Sequence, residues 1–287
     1  MNNFSLFLLK LFLFPAFLFS QSISKDSLIE IGKNNNFDSE ILIKLGEEYA
    51  ADKDWEKAIY YYDKLVKTNP DNPDYLYRLG GTQAAYSEVV NKFRVLSIIN
   101  SAKKNLIKSA SLDAKHIYSR WALVQILTEL PNILGGNKSA ALNYIDEIYN
   151  ISKIHGLLAF HYLYKFQEKE SSIKQMEDKI FQEINSNPIL FEFNYFNFVV
   201  GKLLTKKDSG QYDLALNYLN EYLVKYSSAD RFSLEEVYYY LAYCNFYIGN
   251  NNSSTLLKKS MEIASKAEQK NYTLISKIEE LNKLINL

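Results

Sequence analysis

The three histidines and the single cysteine are the residues of this 287-residue sequence that could ligate a metal or act as a nucleophile. His155 and His161 are six positions apart, which places them on different helical faces rather than at the four-residue spacing of a shared metal site. His116 stands alone in a predicted turn. Cys244 lies in an apolar aromatic segment with no neighbouring histidine to activate it. The sequence therefore predicts isolated packing or surface histidines, a buried thiol, and no metal or cofactor.

Two further patterns resemble catalytic or phosphate-binding motifs only superficially. Adjacent glutamates such as Glu47 and Glu48 point about 100° apart on a helix, so they predict solvated charges rather than an acid–base pair. Residues 135–139 read Gly-Gly-Asn-Lys-Ser, but the first glycine of a phosphate-binding loop is missing and a helix rather than a strand precedes them. We expect Pro131 to stop that helix and the glycines to reverse the chain. These patterns give no support for an enzyme.

Charge balance and composition exclude several classes of partner. Lys and Arg total 33 and Asp and Glu total 33, which gives a formal net charge of +0. Nucleic acid and anionic membrane surfaces attract proteins with a basic excess, so neither partner is predicted. Hydrophobic residues make up 47% and aromatic residues 15%, with 10 Gly and 5 Pro. This composition indicates a folded helical chain rather than a disordered one.

Residues 1–20 have the pattern of a secretory signal peptide. Lys10 precedes an apolar stretch at residues 11–19, and Ser20 and Ser22 are small residues suited to a cleavage site. The apolar stretch is about half of the roughly 20 residues needed to cross a bilayer. We therefore expect a cleaved, exported protein, periplasmic or secreted, without a stable membrane span.

Residues 39–72 form a unit whose small and large apolar residues follow a helix–turn–helix pattern. Its first helix carries Leu42-x2-Leu45-Gly46-x2-Tyr49, and its second carries Ala58-x3-Tyr62, Leu65 and Pro70. Gly46 and Ala58 are small where two antiparallel helices must meet, and Pro70 ends the second helix. This spacing resembles the tetratricopeptide repeat, with Leu in place of the usual first Trp and Tyr in place of Phe. The resemblance implies a binding scaffold and not an enzyme.

The same phase can be followed along the chain. Leu76-x2-Leu79-Gly80 and Val200-Gly201-x2-Leu204 repeat the first-helix pattern. In the second pair, about ten extra residues at 86–98 predict an extension of both helices. The fourth pair, at residues 156–188, is the least regular, and its register is open by one residue. Residues 271–287 are amphipathic, as expected of a terminal cap. We predict an all-α protein: a polar lead-in at residues 21–38, a right-handed α-solenoid of about six helix pairs at residues 39–270, and a C-terminal capping helix.

The resemblance also implies where a partner would bind. In tetratricopeptide stacks the first helices line the concave face, and partner contacts come mainly from the second, fifth, ninth and twelfth positions. The fifth positions of this sequence are Ile43, Tyr77, Trp121, either Phe160 or His161, Phe198 and Tyr239. Neighbouring groove positions add Tyr118, Gln125, Lys202 and Tyr243. Aromatic side chains bury a large area with few rotatable bonds, so this column could hold a partner. The alternative is that the tyrosines fill the stack itself.

Two functions follow, and a third has less support. The first is a scaffold that binds a protein or peptide on the concave face, although Lys202 is the only basic residue for the carboxylate clamp common in such proteins. The second is a small-molecule or glycan carrier working with a transport system. For it, the loop at residues 130–139 resembles divergent tetratricopeptide proteins that include periplasmic T-components of some transport systems and regulators of microtubule dynamics. The third, an α/α enzyme, lacks clustered acid–base residues. The width of the groove separates these hypotheses.

Overall fold

The computed structural model describes residues 24–206, 210–228 and 230–286. The predicted signal peptide at residues 1–20 lies outside the described residues. Across the described ranges the chain is helical and contains no strand. None of the helices in those ranges combines the length and the apolar character that a membrane crossing needs.

The described helices form six consecutive pairs, preceded and followed by a single helix. They are α1 Lys25–Asn34, α2 Ser39–Ala51, α3 Trp55–Thr68, α4 Pro73–Ser87, α5 Lys92–Leu112, α6 Ile117–Glu129, α7 Lys138–Ile151, α8 Lys153–Phe166, α9 Glu170–Ser186, α10 Asn194–Leu204, α11 Tyr212–Val224, α12 Leu234–Tyr247, α13 Ser253–Lys266 and α14 Tyr272–Ile285. Each helix packs chiefly against the helices that precede and follow it in the chain. Such nearest-neighbour stacking is the pattern of an α-solenoid, which confirms the predicted all-α repeat fold.

Small residues let the two helices of a pair approach each other. A side chain on Gly46 would collide with the ring of Tyr62. A Cβ on Gly80 would lie 2.8 Å from Leu106 Cγ, and Gly201 meets the second helix of its own pair in the same way. The glycine of the repeat pattern is therefore required by the contact between helices, as the sequence indicated.

Polar side chains fix where many of the helices begin. The caps accept a hydrogen bond from a backbone N–H two or three residues ahead, which satisfies a donor that the helix leaves free. They are Ser24, Asp38, Asp54, Asn72, Asn91, His116, Asn137 and Asn271. His116 therefore has a structural role at the start of α6, where its Nδ1 accepts from the Ser119 N–H at 3.1 Å.

Two stretches differ from the sequence interpretation. The expected polar lead-in contains α1, which is mostly polar but buries Leu28 in the core of the first pair. Its large apolar residues, Leu28, Ile29 and Ile31, fall within about one turn, so no repeating periodicity indicated that helix. Residues 86–98 were expected to extend both helices of the second pair, whereas α4 ends at Ser87 and only α5 is long.

The stack curls until its later part touches its beginning. Ser228 Oγ donates to the carbonyl oxygen of Ala51 at 2.6 Å, although 177 residues separate them. Arg231 lies 3.5 Å from the Glu129 carboxylate at the end of α6. Both residues belong to the connection between α11 and α12, called here the crossing segment (residues 225–228 and 230–233). This segment therefore crosses the inner side of the solenoid.

Candidate functional site

Two adjoining cavities lie on the inner side of the solenoid. The first, the aromatic groove, has a volume of about 300 Å³ and is lined mainly by α4 and α6. The second, the basic cavity, has a volume of about 690 Å³ and is lined mainly by α6, α8, α10 and the crossing segment. Trp121, Glu129 and Arg231 line both. The first helices of consecutive pairs thus supply most of both walls.

The aromatic groove brings together four of the predicted residues: Tyr77, Tyr118, Trp121 and Gln125. The Tyr77 and Tyr118 ring centroids are 6.0 Å apart, and both side chains are partly buried. Trp121 is only 2% exposed, and its indole N–H has no acceptor within the described parts of the chain. Burial raises the pKa of Tyr77 to about 12, so its hydroxyl stays protonated. The part of the groove around Tyr77 and Trp121 is thus apolar with neutral polar groups, while Glu88, Glu129 and Arg231 add charges elsewhere in its lining.

A continuous series of ring contacts connects the groove with the basic cavity. Tyr118 lies 5.6 Å from Phe193, which stacks at 5.8 Å on Tyr195. Tyr195 lies 5.6 Å from Trp121 and 5.3 Å from Phe232 of the crossing segment. These centroid separations fall within the range of favourable aromatic pairs. The tyrosines therefore stabilise the inner surface as well as lining it.

Two predicted column residues are enclosed by other rings or helices. Phe198 is fully buried, because Phe232 stacks on its ring with centroids 4.1 Å apart. Tyr239 is 8% exposed and belongs to a core cluster with Ile278 and Leu281 of α14. Its pKa rises to about 12, mainly because of burial. Phe198 and Tyr239 thus contribute packing rather than open contact surface.

The remaining predicted positions divide between core and cavity. Ile43 packs on the core of the first pair. Tyr243 lies beside Tyr247, with ring centroids 4.7 Å apart, away from both cavities. Phe160 packs against Tyr164, whereas His161 lines the basic cavity. The structure therefore places His161, not Phe160, at the groove position of the fourth pair.

Several charged side chains line the basic cavity. Glu177 is buried, and its Oε1 lies 3.1 Å from His161 Nε2 and 2.5 Å from Lys206 Nζ. Burial alone would raise the pKa of Glu177, but the hydrogen bonds from His161 and Lys206 outweigh it and hold that pKa below its usual value. Lys202 donates to Glu236 at 2.7 Å and lies 5.2 Å from the centroid of the Tyr240 ring.

Sequence reasoning missed Lys165, Lys206 and Arg231, which also line the basic cavity. The open register of the fourth pair hid Lys165. Once His161 takes the fifth position, Lys165 falls on the ninth, the position that Lys202 occupies in the next pair. Arg231 lies in a connection between helices, and no repeat pattern predicts which wall such a connection will touch.

The loop between α6 and α7 has a conformation explained by packing. Gly135 has a φ of 90°, in the left-handed region, and a side chain on Gly136 would collide with the Leu130 carbonyl. Lys103 Nζ donates to the Gly135 carbonyl at 3.0 Å, and Asn137 caps α7. Protein groups thus make the hydrogen bonds at the start of α7 and at the Gly135 carbonyl, and the chain reverses here as expected.

Cys244 and His155 are buried in the stack. Burial raises the pKa of the Cys244 thiol to about 12, so it is not a thiolate near neutrality. The His155 ring lies edge-on to Phe191 and Phe196, with centroids 5.2 and 4.9 Å away. Both residues therefore act as core side chains.

The paired stacking defines a helical-repeat protein. Within it, residues 39–72 match the family model described as Tetratricopeptide repeat. That segment comprises α2, α3 and the turn that follows them, and it contains the Gly46 contact described above. This part of the chain is a tetratricopeptide repeat.

Two solved structures of tetratricopeptide repeat proteins show a distant similarity to this chain. A tetratricopeptide repeat protein from Parabacteroides merdae is 11% identical, with 90% of each chain covered and a TM-score of 0.48. A thermophilic tetratricopeptide repeat protein from Thermus thermophilus is 16% identical, with 85% of this chain and 98% of that chain covered and a TM-score of 0.37. No curated protein matches the sequence. Because these values are low, the fold assignment rests on the helix pairs of this chain.

Proposed function

We propose that the protein is an exported, non-catalytic scaffold that holds a protein or peptide partner in the aromatic groove. One observation supports this most strongly: the Trp121 indole N–H, in the wall of the groove, is buried and has no acceptor among the described residues. Gln125 adds a partly exposed side-chain amide to the same wall. A polar group kept from water without a partner costs about 1–3 kcal/mol. The backbone of a bound peptide offers donors and acceptors that would remove this cost.

The surrounding surface suits an extended segment. Tyr77 and Tyr118 are partly buried and keep part of each ring available. The Tyr118 hydroxyl lies 3.4 Å from Glu192 Oε2, so its ring is held in position at the wall of the groove. Rigid aromatic side chains near a groove centre commonly supply most of the binding energy of an interface. Tyr118 is therefore the proposed anchor, with Trp121 as the packed floor beneath it.

Tyr118→Ala tests this function. Native envelope proteins would be crosslinked to the purified protein, and the partner recovered with the parent would then be titrated against each variant. Truncation of a central aromatic anchor commonly costs roughly 2 kcal/mol, about thirty-fold in affinity. Tyr272→Ala is the matched control, because Tyr272 is 75% exposed and lines neither cavity. An unchanged affinity of Tyr118→Ala would contradict the proposal, as would equal losses in both variants.

Export is the second part of the proposal. It rests on the short apolar segment of residues 11–19 with small residues at Ser20 and Ser22. Mass spectrometry of the natively produced protein should show a chain that begins at Gln21 or Ile23. A cytoplasmic species that retains Met1 would contradict it.

The alternative function, a small-molecule or glycan carrier working with a transport system, also has a structural argument. The basic cavity, at about 690 Å³, falls within the roughly 300–1,000 Å³ typical of small-ligand sites. Its walls combine aromatic rings with charged groups, as such sites do. The volume and lining of the cavity favour a small ligand. The link to transport rests only on the resemblance of the loop at residues 130–139.

A further inference from the structure

We propose that the basic cavity is a binding site for a small organic anion with an apolar body, such as a medium-chain or aromatic carboxylate. This site adjoins the proposed protein-binding groove and shares Trp121, Glu129 and Arg231 with it; the inference rests on the alternative function above and gives the class of its ligand. The inference rests on the charge, the apolar walls and the enclosure of the cavity.

The cavity concentrates positive charge within a chain of zero formal net charge. Among the described residues, its lining includes the cations Lys165, Lys202, Lys206 and Arg231 but only two carboxylates, Glu129 and Glu177. Arg231 faces Glu129, Lys206 bonds to Glu177 and Lys202 bonds to Glu236, which leaves the charge of Lys165 unbalanced. An anionic group would complete the charge balance of this surface.

Lys165 is the cation best placed to meet the ligand. Its ammonium group forms no ion pair or hydrogen bond with the described residues, whereas Lys202 and Lys206 each bond to a glutamate. Partial loss of water lowers the pKa of Lys165, and the positive charges of Lys202 and Lys206 lower it further. A bound anion beside Lys165 would offset that repulsion. The lysine therefore has an energetic reason to bind an anion.

The walls would hold an apolar body next to the charges. Tyr162, Tyr195 and Phe232 present partly buried rings, and Phe166 lies at the margin with 46% of its surface exposed. The Tyr162 hydroxyl donates to Glu129, which fixes this ring in the wall. Aromatic walls also exclude water, so a charge pair there is less screened than at an open surface. An anion with an apolar portion matches this surface better than a bare inorganic ion.

Enclosure favours a small ligand over a long chain. Arg231 and Phe232 of the crossing segment form part of the wall, and Ser228 ties that segment to Ala51 across the solenoid. Glu129 and Glu177 would repel a polyanion, which needs an extended basic surface. The carboxyl end of a peptide shares the anionic chemistry, so the experiment below separates the two sources.

Two fluorescent probes that differ in charge test the site. Anilinonaphthalene sulfonate carries an anionic group, and N-phenylnaphthylamine is its neutral counterpart. The sulfonate should bind the purified protein saturably, and Lys165→Gln should weaken it by about tenfold or more, as expected for a lost charged hydrogen bond. The neutral probe should be unaffected by that change. Phe166→Ala should weaken both probes, and Lys165→Arg should retain sulfonate binding.

Competition and stability controls make the result decisive. Decanoate should displace the sulfonate, whereas inorganic phosphate and a peptide with a free carboxyl end should not at equal concentration. Lys258→Gln removes an exposed lysine outside the cavity and should leave the affinity unchanged. Lys165→Gln should melt within about 2 °C of the parent, because the ammonium group makes no ion pair or hydrogen bond with the described residues. Tyr118→Ala, designed to release a protein partner, should not alter sulfonate binding.

Three outcomes would overturn the inference. One is an equal sulfonate affinity in Lys165→Gln and the parent. A second is displacement by phosphate as effective as by decanoate, which would show that charge alone is recognised. The third is displacement by the peptide with a free carboxyl end, which would assign the cavity to a protein partner.

Discussion

The aromatic groove and the basic cavity are built by the same kind of helix on the same inner surface, yet they differ in charge and enclosure. In the groove, the ninth position of α6 is the neutral Gln125. In the cavity, the corresponding positions of α8 and α10 are Lys165 and Lys202. Arg231 of the crossing segment lines both regions, and Phe232 lines only the cavity. A repeat scaffold thus changes the chemistry of its inner surface by substitution at one position of its first helices.

The buried charge network is the sharpest difference between the two regions. Glu177→Ala would leave the buried His161 without its carboxylate partner, which costs up to about 3 kcal/mol, whereas the half-exposed Lys206 stays solvated. We expect urea denaturation to show this loss. The matched change is Glu47→Ala, which breaks the more exposed Arg78 pair and should cost no more than about 1 kcal/mol. Equal losses in the two variants would remove the distinction.

The burial of His155 should also make the stability of the fold depend on pH. Burial lowers the pKa of His155 from 6.5 to about 4. Below pH 6.5 the unfolded chain binds a proton at His155 while the folded protein does not. The unfolding free energy that the neutral His155 contributes is therefore fully present above pH 6.5 and is lost as the pH falls toward 4.

The expected loss of unfolding free energy is about 2 kcal/mol between pH 7 and pH 5, and about 3 kcal/mol by pH 4. Urea denaturation at these values measures it. His155→Phe keeps an aromatic ring beside Phe191 and Phe196 and removes the titration, so its stability should change less over the same interval. An identical pH dependence in parent and variant would show that His155 is not the cause.

Two adjacent glycines of α4 give the smallest effects, with opposite signs. The Cβ of Gly80→Ala would lie 2.8 Å from Leu106 Cγ and 3.1 Å from the Ala102 carbonyl oxygen, an overpacking cost of about 1–3 kcal/mol. The Cβ of Gly81→Ala would lie 4.0 Å from Tyr77, so the helix propensity of alanine should stabilise the fold by up to about 1 kcal/mol. Thermal denaturation compares them. A stabilised Gly80→Ala would contradict the helix contact.

The structure brings some of the predicted site residues to the groove and buries others. Tyr77, Trp121 and Gln125 line the groove because the first helices face inward throughout the stack. Phe198 could either line the groove or pack in the core. Phe232 stacks on its ring, so Phe198 packs in the core. Register alone could not predict this, because Phe232 lies outside the helices and approaches from the opposite side.

The sequence by itself determined the helix pairs. Gly46, Ala58 and their equivalents recur because two helices cannot approach closely with larger side chains, and this is a local requirement that spacing records. The tertiary structure alone decided which side chains share a cavity. Arg231 meets Glu129, and Ser228 meets Ala51, only because small rotations between successive pairs add up until distant parts of the stack touch. That accumulated curvature depends on every interface at once, and so no single motif encodes it.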